Sequence, residues 1–128
     1  MLKDFNASHN EIQEITAETF YGCCSLVKLV LDANQLKTLP VALGELSTLE
    51  YLSVTKNHIN YLPDNFGRGM AKLVHLSLAD NQLSELPPGL ETLGKLELLN
   101  VEKNTLATFP PNISLKLTSL KVLNFREN

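Results

Sequence analysis

The chain has 128 residues, of which 44% are hydrophobic and 20% charged, with six Gly, six Pro and no Trp. This composition is typical of a soluble globular protein of one domain and excludes the disordered and fibrous classes. The 11 Lys and Arg against 14 Asp and Glu give a net charge of −3, without any run of basic residues. Because a phosphate backbone is held by clustered cations, we expect no nucleic-acid partner.

The first twenty residues mix acidic, amide and apolar side chains and do not form the apolar stretch of a secretory signal. No segment approaches the roughly 18 consecutive apolar residues of a membrane span. The two cysteines, Cys23 and Cys24, are adjacent in the chain and too few for a disulfide framework. These features predict a cytoplasmic location without a membrane span.

Asparagine recurs at a nearly constant interval, with successive spacings of 24, 23, 24, 23 and 24 residues, at Asn10, Asn34, Asn57, Asn81, Asn104 and Asn128. Ahead of each Asn the apolar residues follow one pattern, LxxLxLxxN, as in Leu26, Leu29 and Leu31. A period of this length predicts a repeat protein whose units stack to bury one continuous core. The extra residue of the longer units falls outside this pattern and is expected on the outer side.

A second pattern follows the Asn in four units, which share a Leu-Pro or Phe-Pro step at Leu39-Pro40, Leu62-Pro63, Leu86-Pro87 and Phe109-Pro110. The combined unit, LxxLxLxxNxLxxLPxxLxxL, resembles the leucine-rich repeat family over the entire chain. The Leu-Pro step resembles the repeats of intracellular Ras-binding and scribble-type scaffolds. The first unit has no Pro and is closer to many extracellular repeats; its apolar residues after the Asn are Ile12, Ile15, Phe20 and Cys23.

The resemblance implies an α/β leucine-rich repeat solenoid, a right-handed horseshoe with six parallel strands on its concave side and short helical or irregular turns on its convex side. The alternation in LxxLxL independently favours short strands with one face inward. We expect one array over residues 1–128, with units starting at residues 2, 26, 49, 73, 96 and 120, a truncated last unit and no evident caps. Uncapped ends predict either a longer parent array or self-association through those ends.

The variable residues of the strands are expected to line the concave face, where the resemblance implies that a protein partner binds. Four cations and five acids share these positions, which suits a protein better than a polyanion. Tyr51 is the leading hot-spot candidate because interfaces concentrate binding energy in a few large side chains. The predicted partner-binding residues are Lys28, Val30, Tyr51, Ser53, Thr55, His75, Ser77, Leu98, Asn100, Glu102 and Val122.

The six repeated Asn residues are interpreted as structural. Each stands where the chain turns away from a strand, and a side-chain amide there can satisfy backbone groups that stacking would bury unpaired. A ligand-binding role for this Asn ladder is disfavoured.

We expect no catalytic site, cofactor or metal. His75, Ser53 and Ser77 are residue types that occur in a nucleophilic triad. An open sheet, however, offers a shallow groove instead of a pocket. The three His residues fall in three different units and the two Cys are adjacent, so no metal-ligand spacing occurs.

The sequence therefore predicts a scaffold or adaptor module for signal transduction that binds a protein partner on its concave face. Two alternatives stay open. One is the regulatory or substrate-recognition segment of a larger signalling kinase, phosphatase or cyclase, which the resemblance implies. The other is a fragment of an extracellular leucine-rich repeat receptor, which the first unit suggests.

Overall fold

Six short parallel strands form one open sheet in the computed structural model, which describes residues 1–128. Each strand pairs with the next one along the chain, so the order in the sheet follows the order in the sequence. The predicted α/β solenoid with six parallel strands is confirmed. The strands are β1 (Asp4–Asn6), β2 (Lys28–Val30), β3 (Tyr51–Ser53), β4 (His75–Ser77), β5 (Leu98–Asn100) and β6 (Val122–Asn124).

The apolar positions of the repeat form one continuous core beneath the sheet. Leu29, Leu52, Leu76 and Leu99, each the middle residue of a strand, are fully buried. They belong to a cluster of 28 buried residues that extends through the first five units. Burial of one such side chain contributes about 1.5–3 kcal/mol. Because each unit buries its leucines against those of its neighbours, stability comes from the stack and not from the single unit.

The convex side alternates between two kinds of segment according to the length of the unit. In the 23-residue units the chain forms 3-10 helices at Val41–Glu45 and Pro88–Thr92. In the 24-residue units the same place holds irregular turns at 17–22 and 64–69 or the helix α1 (Pro111–Lys116). The extra residue therefore lies outside the strands. An insertion within a strand would turn its core residues toward solvent.

The Pro of the Leu-Pro step precedes each convex helix. Pro40, Pro87 and Pro110 have extended backbone, with ψ of 146°, 141° and 125°, and the helix begins at the next residue. The ring fixes φ near −65° and removes a backbone donor, so the chain cannot continue pairing as a strand at this point. The proline therefore sets where the chain turns onto the convex side.

Glycine allows neighbouring convex segments to approach closely. The Gly89 N–H donates to the carbonyl of Asp64 at 2.7 Å, and a Cβ at Gly89 would collide with the carbonyl oxygen of Phe66. At the contact between the second and third units, a Cβ at Gly44 would collide with the carbonyl oxygen of Arg68. Glycine is therefore required at these two positions by backbone contact between units.

One position in every unit has a left-handed backbone although none of its residues is glycine. It lies three residues after the end of each strand. Its φ is between 52° and 57° at His9, Ala33, Lys56, Asp80, Lys103 and Glu127. The left-handed conformation costs an L-residue about 1–2 kcal/mol. This conformation turns the chain from the strand into the segment that carries the repeated Asn.

Apolar side chains of the first and last strand regions are more exposed than those of the four inner strands. Leu2 is 50% exposed and Leu123 is 42% exposed. Within the same regions Phe5 packs edge-on against Phe20, with ring centroids 5.8 Å apart, and Phe125 packs in the same way against a Phe of the preceding unit. One aromatic pair thus packs at each end of the solenoid, whereas the residues of the two terminal strands stay mostly exposed.

Candidate functional site

The first residues of the six strands stand in one row across the concave face because the strands pair in register. We call this the central row. Strands lie about 4.8 Å apart, so the row spans about 24 Å. Its chemistry changes along the solenoid from charged through aromatic to aliphatic, in the order Asp4, Lys28, Tyr51, His75, Leu98 and Val122.

Three members of the central row form a layered stack. The rings of Tyr51 and His75 are nearly parallel, with centroids 4.1 Å apart and an interplanar angle of 15°. On the other side of the tyrosine, Lys28 Nζ lies 4.9 Å from the ring centroid. A ring contact and a cation–π contact each contribute about 0.5–1.5 kcal/mol. The stack therefore holds three large side chains in place before any partner arrives.

The imidazole of His75 titrates below its usual range. Burial against its neighbours lowers the pKa of His75 from the ordinary 6.5, because desolvation disfavours the charged ring. The Asp32 carboxylate opposes this by raising the pKa, and the Lys28 ammonium adds to the lowering. The ring is therefore predominantly neutral at pH 7, with one nitrogen that donates and one that accepts.

The second row, which lies two residues further along each strand, is more deeply buried than the sequence suggests. Val30, Ser53 and Ser77 were expected as contact residues, but they are buried, with exposures of 9%, 3% and 6%. The Ser53 hydroxyl donates to Asp32 Oδ1 at 2.6 Å, and the hydroxyls of Thr55 and Ser77 are 2.8 Å apart. These small side chains are covered by the larger side chains beside them, and the serine hydroxyls form hydrogen bonds within the chain. The three residues therefore offer little area to a partner.

The C-terminal half of the concave face pairs its charged groups internally. Glu102 Oε2 accepts a hydrogen bond from Asn124 Nδ2 at 2.7 Å and lies 3.7 Å from Arg126 Nη2. The Glu102 backbone N–H also donates to Asn100 Oδ1 at 3.1 Å. Two residues of the predicted binding set, Asn100 and Glu102, are thus held in a local network. The chain's three ion pairs all lie in its last two units and do not include Lys28.

The parts of the nucleophilic triad are not assembled. The hydroxyls of Ser53 and Ser77 hydrogen-bond to Asp32 and Thr55, and His75 stacks on Tyr51 instead of accepting from either serine. A nucleophile needs a base within hydrogen-bond reach. The concave face therefore presents fixed side chains for contact and no arranged nucleophile.

Comparison with known proteins identifies the family. Residues 2–59 and 47–106 match the family described as Leucine rich repeat. The chain belongs to the leucine-rich repeat family. Domains of this kind are typical protein–protein interaction modules. No curated protein matches the sequence.

Two solved leucine-rich repeat structures resemble this one. A leucine-rich repeat protein from Leptospira interrogans is 30% identical over 92% of this chain, with a TM-score of 0.80. An internalin from Listeria monocytogenes is 22% identical over 99% of the chain, with a TM-score of 0.74, and shows the fold alone. This chain spans 30% and 43% of the length of those two proteins.

The repeated Asn residues connect consecutive leucine-rich repeats through their side-chain amides. Asn57 Nδ2 donates to the carbonyls of Leu31 and Val54 at 3.1 and 3.0 Å, and its Oδ1 accepts the Leu36 N–H at 3.0 Å. The same set of bonds recurs at Asn34, Asn81, Asn104 and Asn128, whereas Asn10 donates only within its own unit. Four of these residues are buried, so their amides are unavailable to a ligand; they are Asn34, Asn57, Asn81 and Asn104.

Sequence reasoning missed two lateral grooves, each between a 24-residue repeat and the 23-residue repeat that follows it. One has a volume of about 540 Å³ and lies between residues 13–17 and 37–40. The other, of about 360 Å³, is lined by Tyr61, Asp64 and Glu85 among others. The longest helix has six residues, too short to cross a membrane.

Proposed function

We propose that this chain is a non-enzymatic scaffold or adaptor module that binds a protein partner on its concave face, centred on the central row. The observation that carries the proposal is the stack of Lys28, Tyr51 and His75. Preorganised large side chains lose little conformational entropy when a partner binds, which is the property of interface hot spots. Leu98 and Val122 continue the row with aliphatic surface.

The size of the face limits how a partner can bind. Six strands about 4.8 Å apart, each taken with one flanking residue on either side and so about five residues long, present on the order of 400 Å². A standard interface takes about 800 Å² from each partner. We therefore propose that the partner also contacts side chains beside the strands, such as Asp32 and Lys56, which follow the second row.

The test is affinity capture with three baits and mass-spectrometric quantification. The baits are the parent chain, the concave variant Tyr51→Ala/Leu98→Ala, and the convex control Tyr61→Ala/Leu115→Ala, whose wild-type side chains are exposed outside the concave face. We expect a set of proteins retained by the parent and the control but reduced at least about tenfold with the concave variant, as for loss of a hot spot. Equal retention by all three baits would contradict the concave site.

We also propose a cytoplasmic setting for the module, since four of its units carry the Leu-Pro or Phe-Pro step of intracellular scaffolds. Cys23 and Cys24 are both free thiols in the fold, which suits a reducing compartment. Alkylation of the thiols in intact cells, followed by mass spectrometry, tests this. The exposed Cys24 thiol should react without prior reduction, and quantitative oxidation of either cysteine in the native protein would count against the setting.

A further inference from the structure

The chemistry of the central row indicates what kind of segment it binds, an inference that rests on the proposed function. At the β2 to β4 end three groups carry polar hydrogens: Lys28 Nζ, Tyr51 Oη and the neutral His75 ring. None of the hydrogen bonds on the concave face uses them; the internal bonds run instead through Asp32, Thr55 and Glu102. Three donors on consecutive strands thus lack an acceptor within the chain.

The acidic side chains near these donors do not neutralise them by direct contact. Asp4 stands next to Lys28 in the row, yet no carboxylate lies within ion-pair distance of Lys28. Asp32 Oδ1 accepts the Ser53 hydroxyl at 2.6 Å and the Thr55 N–H at 2.8 Å, which fixes it toward the second row. The ammonium instead lies over the Tyr51 ring, where an incoming carboxylate can reach it.

The other end of the row is aliphatic. Leu98 and Val122 lie side by side on β5 and β6, and Val122 is 49% exposed. From Tyr51, the centre of the donor group, to the midpoint of Leu98 and Val122 is two and a half strand spacings, or about 12 Å. An extended peptide that crosses the strands advances about 3.3 Å per residue and points alternate side chains to the same side. The nearest match is a pair of side chains four residues apart, about 13 Å.

We infer that the central row binds an extended segment of a partner protein that carries a carboxylate side chain and, four residues away, an aliphatic one. The carboxylate lies over Lys28 and Tyr51 and the aliphatic side chain over Leu98 and Val122. The ammonium supplies the selectivity for the acid through a charge-assisted hydrogen bond, whereas the phenol can donate to a carboxylate or to an amide oxygen. The aliphatic contact supplies burial.

The probe is the synthetic peptide acetyl-Ser-Glu-Ser-Thr-Ser-Leu-Ser-amide, titrated into the ¹⁵N-labelled chain with amide chemical shifts as the readout. Comparison peptides replace its Glu by Gln or by Lys, or move its Leu one position further, which turns the Leu to the opposite side. We expect shifts at the amides of β2 to β6 and about threefold to tenfold tighter binding of the Glu peptide than of the Gln peptide. Moving the Leu should weaken binding by a similar factor.

Two variants of the chain locate the acid-binding group. In Lys28→Gln the ratio between the Glu and Gln peptides should fall to about one, because the charged donor is lost. In Lys116→Gln, which removes an exposed lysine of the convex helix α1, the ratio should stay as in the parent. Circular dichroism confirms that both variants fold.

The outcomes separate this inference from the proposed function. If the Gln or Lys peptide binds as tightly as the Glu peptide, with shifts still in the central row, the acidic specificity is wrong and the concave site stands. If the preference for Glu survives in Lys28→Gln, the assigned donor is wrong. If no peptide binds at about 5 mM, a free energy near −3 kcal/mol, the inference is overturned, while the capture experiment still decides the concave site independently.

Discussion

Replacing Asn57 by Ala tests how the repeats are held together. The substitution removes the amide that donates to the carbonyls of Leu31 and Val54 and the oxygen that accepts the Leu36 N–H. The two carbonyls keep a second donor each, because the Asn34 and Asn81 amides also reach them. Only the buried Leu36 N–H loses its sole partner.

An orphaned buried donor costs about 1–3 kcal/mol, so we expect Asn57→Ala to lower the free energy of unfolding by that amount and not by the sum of all its bonds. Far-UV circular dichroism in urea measures it, since the chain has no Trp for fluorescence. Asn57→Asp should cost more at pH 7, because a carboxylate then faces the carbonyls of Leu31 and Val54. Its excess cost should shrink as the pH falls and should be absent below about pH 4, where the Asp side chain is protonated in the folded and the unfolded chain alike.

The control is Asn60→Ala, an exposed position whose side chain makes no hydrogen bond in the chain. Its free energy of unfolding should stay within about 0.5 kcal/mol of that of the parent. The reasoning would be refuted if Asn57→Ala left the midpoint unchanged, or if Asp at this position were tolerated better than Ala at neutral pH.

Three further predictions follow from single positions. Gly89→Ala should destabilise the chain by about 1–3 kcal/mol in urea unfolding, because its Cβ would meet backbone, whereas Gly94→Ala, with open space around it, should not. Ala33→Gly should stabilise by about 0.5–1 kcal/mol, since it relieves a left-handed φ at some cost in chain entropy, and an unchanged midpoint would argue against backbone strain there. His75 should titrate below pH 6.5 by NMR; the unfolded chain then binds more protons as the pH falls through 6.5, so stability contributed by a neutral His75 is present above this pH and lost below it. His75→Gln should remove that part of the pH dependence, and an identical pH profile in both proteins would exclude it.

Much of the layout of the concave face followed from the repeat alone. Once the strand positions repeat every 23 or 24 residues, pairing in register places Tyr51 beside His75 without further information. What the pattern did not determine was which of those side chains stay open. Ser53 and Ser77 occupy concave positions, yet they are buried because hydroxyls are short and their neighbours close over them. Side-chain length relative to adjacent rows is a property of several units together and is not visible in one unit.

The sequence by itself determined the fold, the strand positions and the role of the Asn ladder, since a parallel stack leaves only one way to bury the leucines of every unit. Tertiary structure alone decided three other features. The left-handed position in each unit carries no common residue type, so it had no signal in the sequence. The contact of Gly89 with the preceding unit and the placement of Lys28 over Tyr51 depend on distances between units. The local sequence pattern specifies each repeat. The spacing between repeats determines which groups form hydrogen bonds to each other and which stay unpaired on the surface.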